Sequence, residues 1–308
     1  MTTLLYTHRA CIGHDPGPHH PECPARLEAI WATLDAPEFA GLIRREAPRA
    51  SIEALERVHP RAYIDRTLAA VPGAGYVALD GDTVLSPGSG EAALRAAGAV
   101  VAAVDAVAAG EAKNAFCAVR PPGHHAEPST AMGFCLFNNA VVGALHARAA
   151  HGQRRVAIVD FDVHHGNGSQ AVAEHDPDLF YASTHQWPLY PGTGSVRETG
   201  LGNIVNRPLR AGSGGAEFRT AFGEWIMPAL GQFAPDLVIV SAGFDAHADD
   251  PLAGLMFTEA DFVWVTEQLV GFAERYCGGR LVSTLEGGYD LGALAASVAA
   301  HVGTLMAA

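Results

Sequence analysis

The stretch that most constrains this chain is Val156-Ala157-Ile158-Val159, followed at once by Asp160-Phe161-Asp162-Val163-His164-His165-Gly166-Asn167-Gly168. A short, largely β-branched apolar run reads as a strand buried on both faces, which belongs in a parallel sheet with helices on either side. While the chain stays extended, residues two apart point the same way, so Asp160, Asp162 and His164 share one side. Two carboxylates and an imidazole at the end of a buried strand repel and desolvate one another unless a cation sits among them. Asp and His donors with no cysteine nearby suit zinc or a similar divalent ion in an open catalytic site. Gly166 and Gly168 then let the backbone turn sharply. A lone Asp-x-Asp would read as a capped strand end, whereas the longer pattern reads as a metal site.

Similar apolar runs recur along the chain: residues 3–7, Asn114 to Val119, Leu179 to Ser183, Asn203 to Leu209, Pro235 to Val240 and Gly279 to Leu285. Helical patterns alternate with them, at Leu27–Leu34, 51–71, 90–110, Asn139 to about Ala150, 169–175, Phe218–Phe233, Thr258–Tyr276 and the C-terminus. Alternation of this kind predicts an α/β fold with a mostly parallel sheet and right-handed crossovers. The 308 residues contain no repeat, linker or low-complexity segment, so residues 1–308 are expected to form a single domain.

Ligands of such sheets bind beyond the carboxyl ends of the strands. Four strand ends carry chemistry there: Arg120-Pro-Pro-Gly-His124-His125, the Asp160/Asp162/His164 set, Ser241-Ala-Gly-Phe-Asp245, and Glu286-Gly287-Gly288-Tyr289. Asp162, His164 and Asp245 supply three protein ligands and leave a position for water and substrate. Two carboxylates acidify a bound water less than neutral imidazoles do, so a separate base is useful. The pair His124/His125 fits that need. Tyr289, on a Gly-Gly turn, is placed to donate to an oxyanion, and Asp160 is better placed to orient an imidazole than to bind metal. Metal, base and oxyanion donor together specify hydrolysis of an amide or ester.

The formal charge of −13 (20 basic against 33 acidic residues) argues against a nucleic-acid-binding surface. The five cysteines are odd in number and form no C-x-x-C pair, which suggests reduced thiols in a cytoplasmic setting. The N-terminus lacks the basic region of a signal peptide, and the Ala/Val-rich stretch 92–109 carries Arg95, Gly98 and Asp105, so no membrane association is expected. Oligomeric assembly is left open. Two loops draw attention. The first holds His8, His14, His19 and His20, whose spacing matches no compact ligand set and which are expected to line a cavity mouth. Arg26 follows it, set either to hold a carboxylate inside or to form a surface salt bridge. The second, Val71 to Ser89, is long and acidic at Asp80 and Asp82, as functional loops often are.

With these residues in view, the chain resembles the zinc-dependent histone deacetylase and acetylpolyamine amidohydrolase family. The resemblance rests on His20-Pro-Glu-x-Pro-x-Arg26, Arg120-Pro-Pro-Gly-His-His125, Gly133-Phe-Cys135, Asp160-x-Asp-Val-His-His-Gly-Asn-Gly168, Tyr190-Pro-Gly-Thr-Gly194, Ser241-Ala-Gly-Phe-Asp245 and Glu286-Gly-Gly-Tyr289, in that order. It implies a three-layer arginase/deacetylase-like fold and a deacylase acting on acetyl-lysine or a similar acyl amide. It implies Zn2+, with Fe2+ satisfied by the same ligands, on Asp162, His164 and Asp245. His125 becomes the general base and acid, His124 its partner oriented by Asp160, and Tyr289 the oxyanion donor. A structural K+ is implied on Asp160, the Ser183 side chain and the carbonyls of Asp162, His164 and Thr184. Phe134 and Tyr190 would flank the channel gripping the acyl-lysine stem, with Gly133, Leu252, Gly287 and Gly288 also at the substrate, and Arg26 would lie by an inner channel for acetate. Asn167 stands where class I members carry Asp, so the chain looks like class II. Polyamine-selective eukaryotic relatives place a Glu where this chain has Leu252, which counts against acetylpolyamine as substrate, while Asp80 and Asp82 keep that alternative open.

Overall fold

The computed structural model describes residues 2–308. Its strands are β1 (Thr3–Thr7), β2 (Ile43–Glu46), β3 (Val77–Ala78), β4 (Val84–Leu85), β5 (Asn114–Cys117), β6 (Val156–Asp160), β7 (Leu179–Gln186), β8 (Ile204–Leu209), β9 (Leu237–Ala242) and β10 (Leu281–Leu285). Its α-helices are α1 (Pro24–Leu34), α2 (Ile52–Glu56), α3 (Arg61–Ala69), α4 (Ser89–Ala108), α5 (Asn139–His151), α6 (Asn167–Ala173), α7 (Gly215–Ala221), α8 (Met227–Phe233), α9 (Glu259–Tyr276) and α10 (Leu291–Ala307).

Eight strands form one sheet in the order β2-β1-β5-β10-β9-β6-β7-β8, every pair parallel. β3 and β4 make a separate antiparallel hairpin. The crossovers explain the layers. The chain steps from β1 to β5 and from β5 to β6 through α4 and α5, which pack on each other and on the sheet from β1 to β6. It steps back from β9 to β10 through α9, and α9, α10 and α1 pack together in turn. Movement in opposite directions with right-handed crossovers puts these two helix groups on opposite faces. The three-layer α/β architecture is therefore as the sequence predicts.

β5, β6, β9 and β10 are buried at every residue, which is why each reads as a continuous apolar run rather than an alternating one. These four are neighbours at the middle of the sheet, so their carboxyl ends open onto one rim. Helix ends are capped locally. Asn138 and Asp290 accept from Val141 N and Ala293 N at the starts of α5 and α10. Thr258 and Asp261 form a capping box at α9. Among the described residues no helix is long and apolar enough to cross a membrane.

Several boundaries differ from expectation. β2, Ile-Arg-Arg-Glu, is an edge strand too exposed and charged to give an apolar signal. β7 runs on beside β8 through Thr184, His185 and Gln186, polar residues that are buried; His185 packs against His165 and Gly194, and Gln186 accepts from Gly254 N. The helical pattern of 51–71 is two helices that part at Pro60, and that of 218–233 contains a π-turn over Phe222–Ile226. Pro228 lies just after that turn; it donates no amide hydrogen and its ring crowds the carbonyl four residues back, which favours a wider turn there.

Candidate active site

Asp162 and His164, just past β6, meet Asp245, just past β9. One donor atom of each lies within 4.8 Å of the others, and all three residues are buried. His164 Nδ1 stands 3.1 Å from Asp162 Oδ1 and 3.1 Å from Asp245 Oδ2. Backbone amides fix the carboxylates. Asp162 accepts from His164 N at 2.9 Å and Gly287 N at 2.8 Å, and Asp245 accepts from Val163 N at 2.9 Å. Glycine is required where these segments touch: a Cβ on Gly287 would fall inside the carboxylates of Asp245 and Asp162, and one on Gly243 inside that of Asp162.

The electrostatics fit a cation. Burial disfavours a charged His164, yet its bonds to Asp162 and Asp245 outweigh this and raise the imidazole to about 10. Burial works against the Asp162 carboxylate too, but His124 and His164 hold it below its usual range. Burial and the neighbouring Asp162 push Asp245 up to about 7. The centre therefore draws positive charge to the point where three donors converge. One imidazole nitrogen and two carboxylate oxygens make a donor set for a divalent ion.

Beside it, the segment after β5 presents two imidazoles with ring centroids 4.0 Å apart. His124 Nδ1 lies 3.0 Å from Asp160 Oδ2, and the Tyr181 hydroxyl donates to the same oxygen at 3.1 Å. Burial opposes charge on His124, but Asp162 and Asp160 raise it to about 10. His125 differs. Its Nδ1 lies 2.8 Å from Asn167 Oδ1, while Asn167 Nδ2 donates to Glu127 Oε1 at 2.9 Å. That second bond orients the amide, so Nδ1 of His125 carries the proton and Nε2 the lone pair. Burial, then the neighbouring His124 and His164, holds His125 well below its ordinary value. Glu286 ties the strand ends together, accepting from Gly123 N at 2.6 Å, His124 N at 3.2 Å and Ser241 Oγ at 3.1 Å.

A cavity of about 230 Å³ lies over the centre, lined by Asp82, His125, Gly133, Phe134, His164, Leu189, Tyr190, Leu252 and Tyr289. A groove of about 480 Å³ between α8 and α9 is larger, but it brings together no such donor set. Gly133 and Phe134 both have positive φ, 55° and 68°, which turns the Phe134 ring into the cavity wall 5.9 Å from Tyr289 and 4.8 Å from His20. Among the described residues the Tyr289 hydroxyl has no hydrogen-bond partner. Burial pushes it well above the ordinary tyrosine value, so it keeps its proton. The Arg26 guanidinium lies 4.9 Å from the Tyr289 ring centroid.

The histone deacetylase domain family matches residues 20–305. The chain belongs to the histone deacetylase family. It is 41% identical to histone deacetylase 14, chloroplastic, of Arabidopsis thaliana, over 96% of this chain and 75% of that one. It is 40% identical to a histone deacetylase-like amidohydrolase of Pseudomonas aeruginosa, over 94% of this chain and 82% of that one. Among solved structures, the HDA15 HD domain superposes with a TM-score of 0.94 at 36% identity, covering 99% of this chain and 88% of that one.

The deacetylase-family chain thus gathers His124, His125, Asp160, Asp162, His164, Asp245 and Tyr289 at one rim, with Phe134, Tyr190, Leu252 and Gly133 around the cavity. Gly287 and Gly288, expected at the substrate, are not among its lining residues. The amide of Gly287 holds Asp162, and the carbonyl of Gly288 accepts from Arg26 Nε at 2.6 Å. The residues expected to hold K+ adjoin one another, since Ser183 faces Asp160 across the β6–β7 ladder. Ser183 Oγ lies 2.9 Å from His185 Nδ1, and the buried Thr184 Oγ1 has no partner among the described residues.

Other placements differ from the sequence reading. Arg26 makes no surface salt bridge: it is wholly buried, donating to Glu22 at 3.0 Å and to the Glu286 carbonyl at 2.6 Å. Of the four loop histidines only His20 packs against the cavity wall. His8 caps a short 3₁₀ turn, His14 is buried against Glu22 and Ser89, and His19 is exposed, at φ 70°, and absent from the cavity lining. Asp80 closes its own turn by accepting from Asp82 N and Thr83 N, whereas Asp82 lines the cavity. Sequence reasoning gave no role to Glu22, which is buried between Arg26, Arg120 and His14. Leu189, Tyr181 and Glu286 were likewise unassigned, because their partners lie far along the chain.

Proposed function

We propose that this protein is a metal-dependent deacylase that removes acetyl or related acyl groups from lysine side chains or similar acyl amides. The observation that carries this reading is the meeting of three differently tuned groups at one cavity: a cation-demanding centre, a neutral His125 and a protonated Tyr289. Asp162, His164 and Asp245 would hold Zn2+, or Fe2+, which supplies Lewis acidity toward a carbonyl and lowers the pKa of water. His125 Nε2 takes the proton of the attacking water, whose oxygen bonds to the amide carbon. Tyr289 donates to the oxygen that gains negative charge. The C–N bond then breaks as His125 returns the proton to the leaving amine, so acetate and a free amine result. Asn167 keeps the His125 lone pair aimed at water, and His124, held by Asp160, adds positive charge beside the forming oxyanion.

The cavity supports a narrow, uncharged substrate stem, since Phe134, Tyr190, Leu189 and Leu252 supply its walls. The potassium ion expected at Asp160, Asp162, His164, Ser183 and Thr184 would brace the turn after β6. Below Tyr289, two buried arginines face one glutamate, and the surplus positive charge suits an acetate leaving past Arg26. A second reading, hydrolysis of an acetylpolyamine, is favoured only by Asp82, whose carboxylate at the cavity wall suits a distal ammonium.

The test is kcat/KM for an acetyl-lysine peptide beside acetylputrescine, on zinc-loaded protein with an Asp245→Ala control. Peptide turnover that vanishes in the control upholds the proposal. Preference for acetylputrescine shifts it to the second reading, and turnover of neither removes both.

A further inference from the structure

α4 and α5 pack along each other and run antiparallel to the sheet strands they cover, so their C-terminal ends lie at the amino-end rim, opposite the active site. Three metal-ligating side chains meet there: Asp105 on α4, and His146 and His151 on α5. Their donor atoms lie within 4.8 Å of one another. His146 Nε2 and His151 Nε2 are each 2.6 Å from the same oxygen, Asp105 Oδ1. The two rings are inclined at 76° with centroids 5.7 Å apart, so they converge on that oxygen instead of stacking. Five residues of α-helix separate the histidines by about 140° around the axis, so they do not share a face by helix geometry alone. They meet because His151 is the last residue of α5 and the chain turns away at Gly152, φ 63°. Nothing in the proposed hydrolysis uses these groups.

We propose that Asp105, His146 and His151 form a second divalent-metal site that ties the end of α4 to the end of α5. Two neutral imidazoles and one carboxylate suit Zn2+, Ni2+ or Cu2+. Tetrahedral donors at ordinary Zn–N and Zn–O distances lie about 3.3 Å apart, so each imidazole has to withdraw from Asp105 by about 0.7 Å. Asp105 is half-exposed, and His151 and His146 keep 27% and 14% of their side chains exposed, so the movement takes place at the outer end of the helix pair. The exposed side leaves coordination positions for water. Arg57 is the neighbouring group that works against the site. Its Nη1 lies 3.4 Å from His146 Nδ1, while Nη2 donates to Glu53 at 2.9 Å. Metal on Nε2 places the remaining imidazole proton on Nδ1, facing the Arg57 donors, so Arg57 has to swing fully onto Glu53. Removing Arg57 therefore strengthens the site.

The experiment uses tag-free full-length protein already holding one equivalent of zinc, titrated with further Zn2+ and followed by calorimetry and by metal analysis after gel filtration. A second equivalent is expected, with a rise in Tm, because a ligand bound only by the folded state stabilises it. The His146→Ala/His151→Ala double variant should keep the first equivalent and lose both the second and its Tm rise. Asp105→Asn should weaken the second equivalent, and Arg57→Ala should tighten it several-fold. Equal stoichiometry in parent and double variant, or no second equivalent in the parent and Arg57→Ala proteins, overturns the proposal. Because metal content and Tm are the readouts, the result stands apart from whether acetyl-lysine proves to be the substrate.

Discussion

Tyr289→Phe separates the proposed oxyanion role from every structural one. The hydroxyl has no hydrogen-bond partner among the described residues, and the ring makes the contacts, with Phe134 at 5.9 Å and Arg26 at 4.9 Å. Removing only the oxygen leaves both contacts, the metal donors and the cavity shape in place. Stability should therefore not fall, since the hydroxyl that is removed has no bond to lose. A donor that gains its partner only as the carbonyl oxygen becomes charged acts on the transition state alone, so KM should hardly move. Loss of one such donor costs about 10²–10³ in kcat, or about 2.7–4 kcal/mol. The assay is steady-state hydrolysis of an acetyl-lysine peptide by the zinc-loaded variant, with metal content and Tm measured on the same preparation. A fall in kcat of less than about tenfold, or 1.4 kcal/mol, with metal content intact would refute the assignment.

Other perturbations follow from the same geometry. Asn167→Asp places a carboxylate against His125 Nδ1; it favours the imidazolium, raises a pKa that burial holds well below the ordinary value, and should move the acid limb of kcat/KM to higher pH. A limb that stays put or moves lower would exclude His125 as the titrating base. Gly287→Ala puts a methyl group into the carboxylates of Asp245 and Asp162 and should weaken zinc binding by about 10–100-fold, read by competition with a chelator; unchanged affinity would mean that the segment yields freely. Glu22→Ala leaves Arg26 and Arg120 buried without their shared carboxylate and should cost about 3–5 kcal/mol in urea unfolding. A cost below about 1 kcal/mol would show that water or an anion replaces the carboxylate there.

How much of this was legible in the sequence follows from the range of each interaction. β5, β6, β9 and β10 are buried on both faces, so burial writes itself into consecutive apolar residues and can be read from a short window. β2 lies at the sheet edge and β7 continues as a strand beside β8, so neither the charge of Arg44 and Arg45 nor the polarity of His185 and Gln186 predicts their strand state. Tertiary cover decides those residues, and no local pattern reports it. The π-turn before Pro228 was similarly hidden, because helical periodicity continues through it.

The site divides along the same line. Asp162 and His164 are neighbours in one motif, and Asp245 follows a strand whose partner is β6, so strand-end logic alone brings them together. Glu22 shows the opposite case. Its carboxylate binds Arg120, 98 residues away, and Arg26, four residues away, yet the sequence around it offers only a polar loop beside a helix start. What makes Glu22 informative is that burial would expel a lone carboxylate, while Arg120 and His14 hold it well below the usual range. The Arg26–Glu22–Arg120 cluster carries a net positive charge beneath Tyr289, and Arg26 in turn grips the carbonyls of Glu286 and Gly288 on either side of Gly287. The loop whose glycine amide fixes Asp162 and whose tyrosine closes the cavity is thus braced from below by a charged core. Metal affinity and Tyr289 alignment should respond together to changes at Glu22, although that residue is absent from the cavity lining.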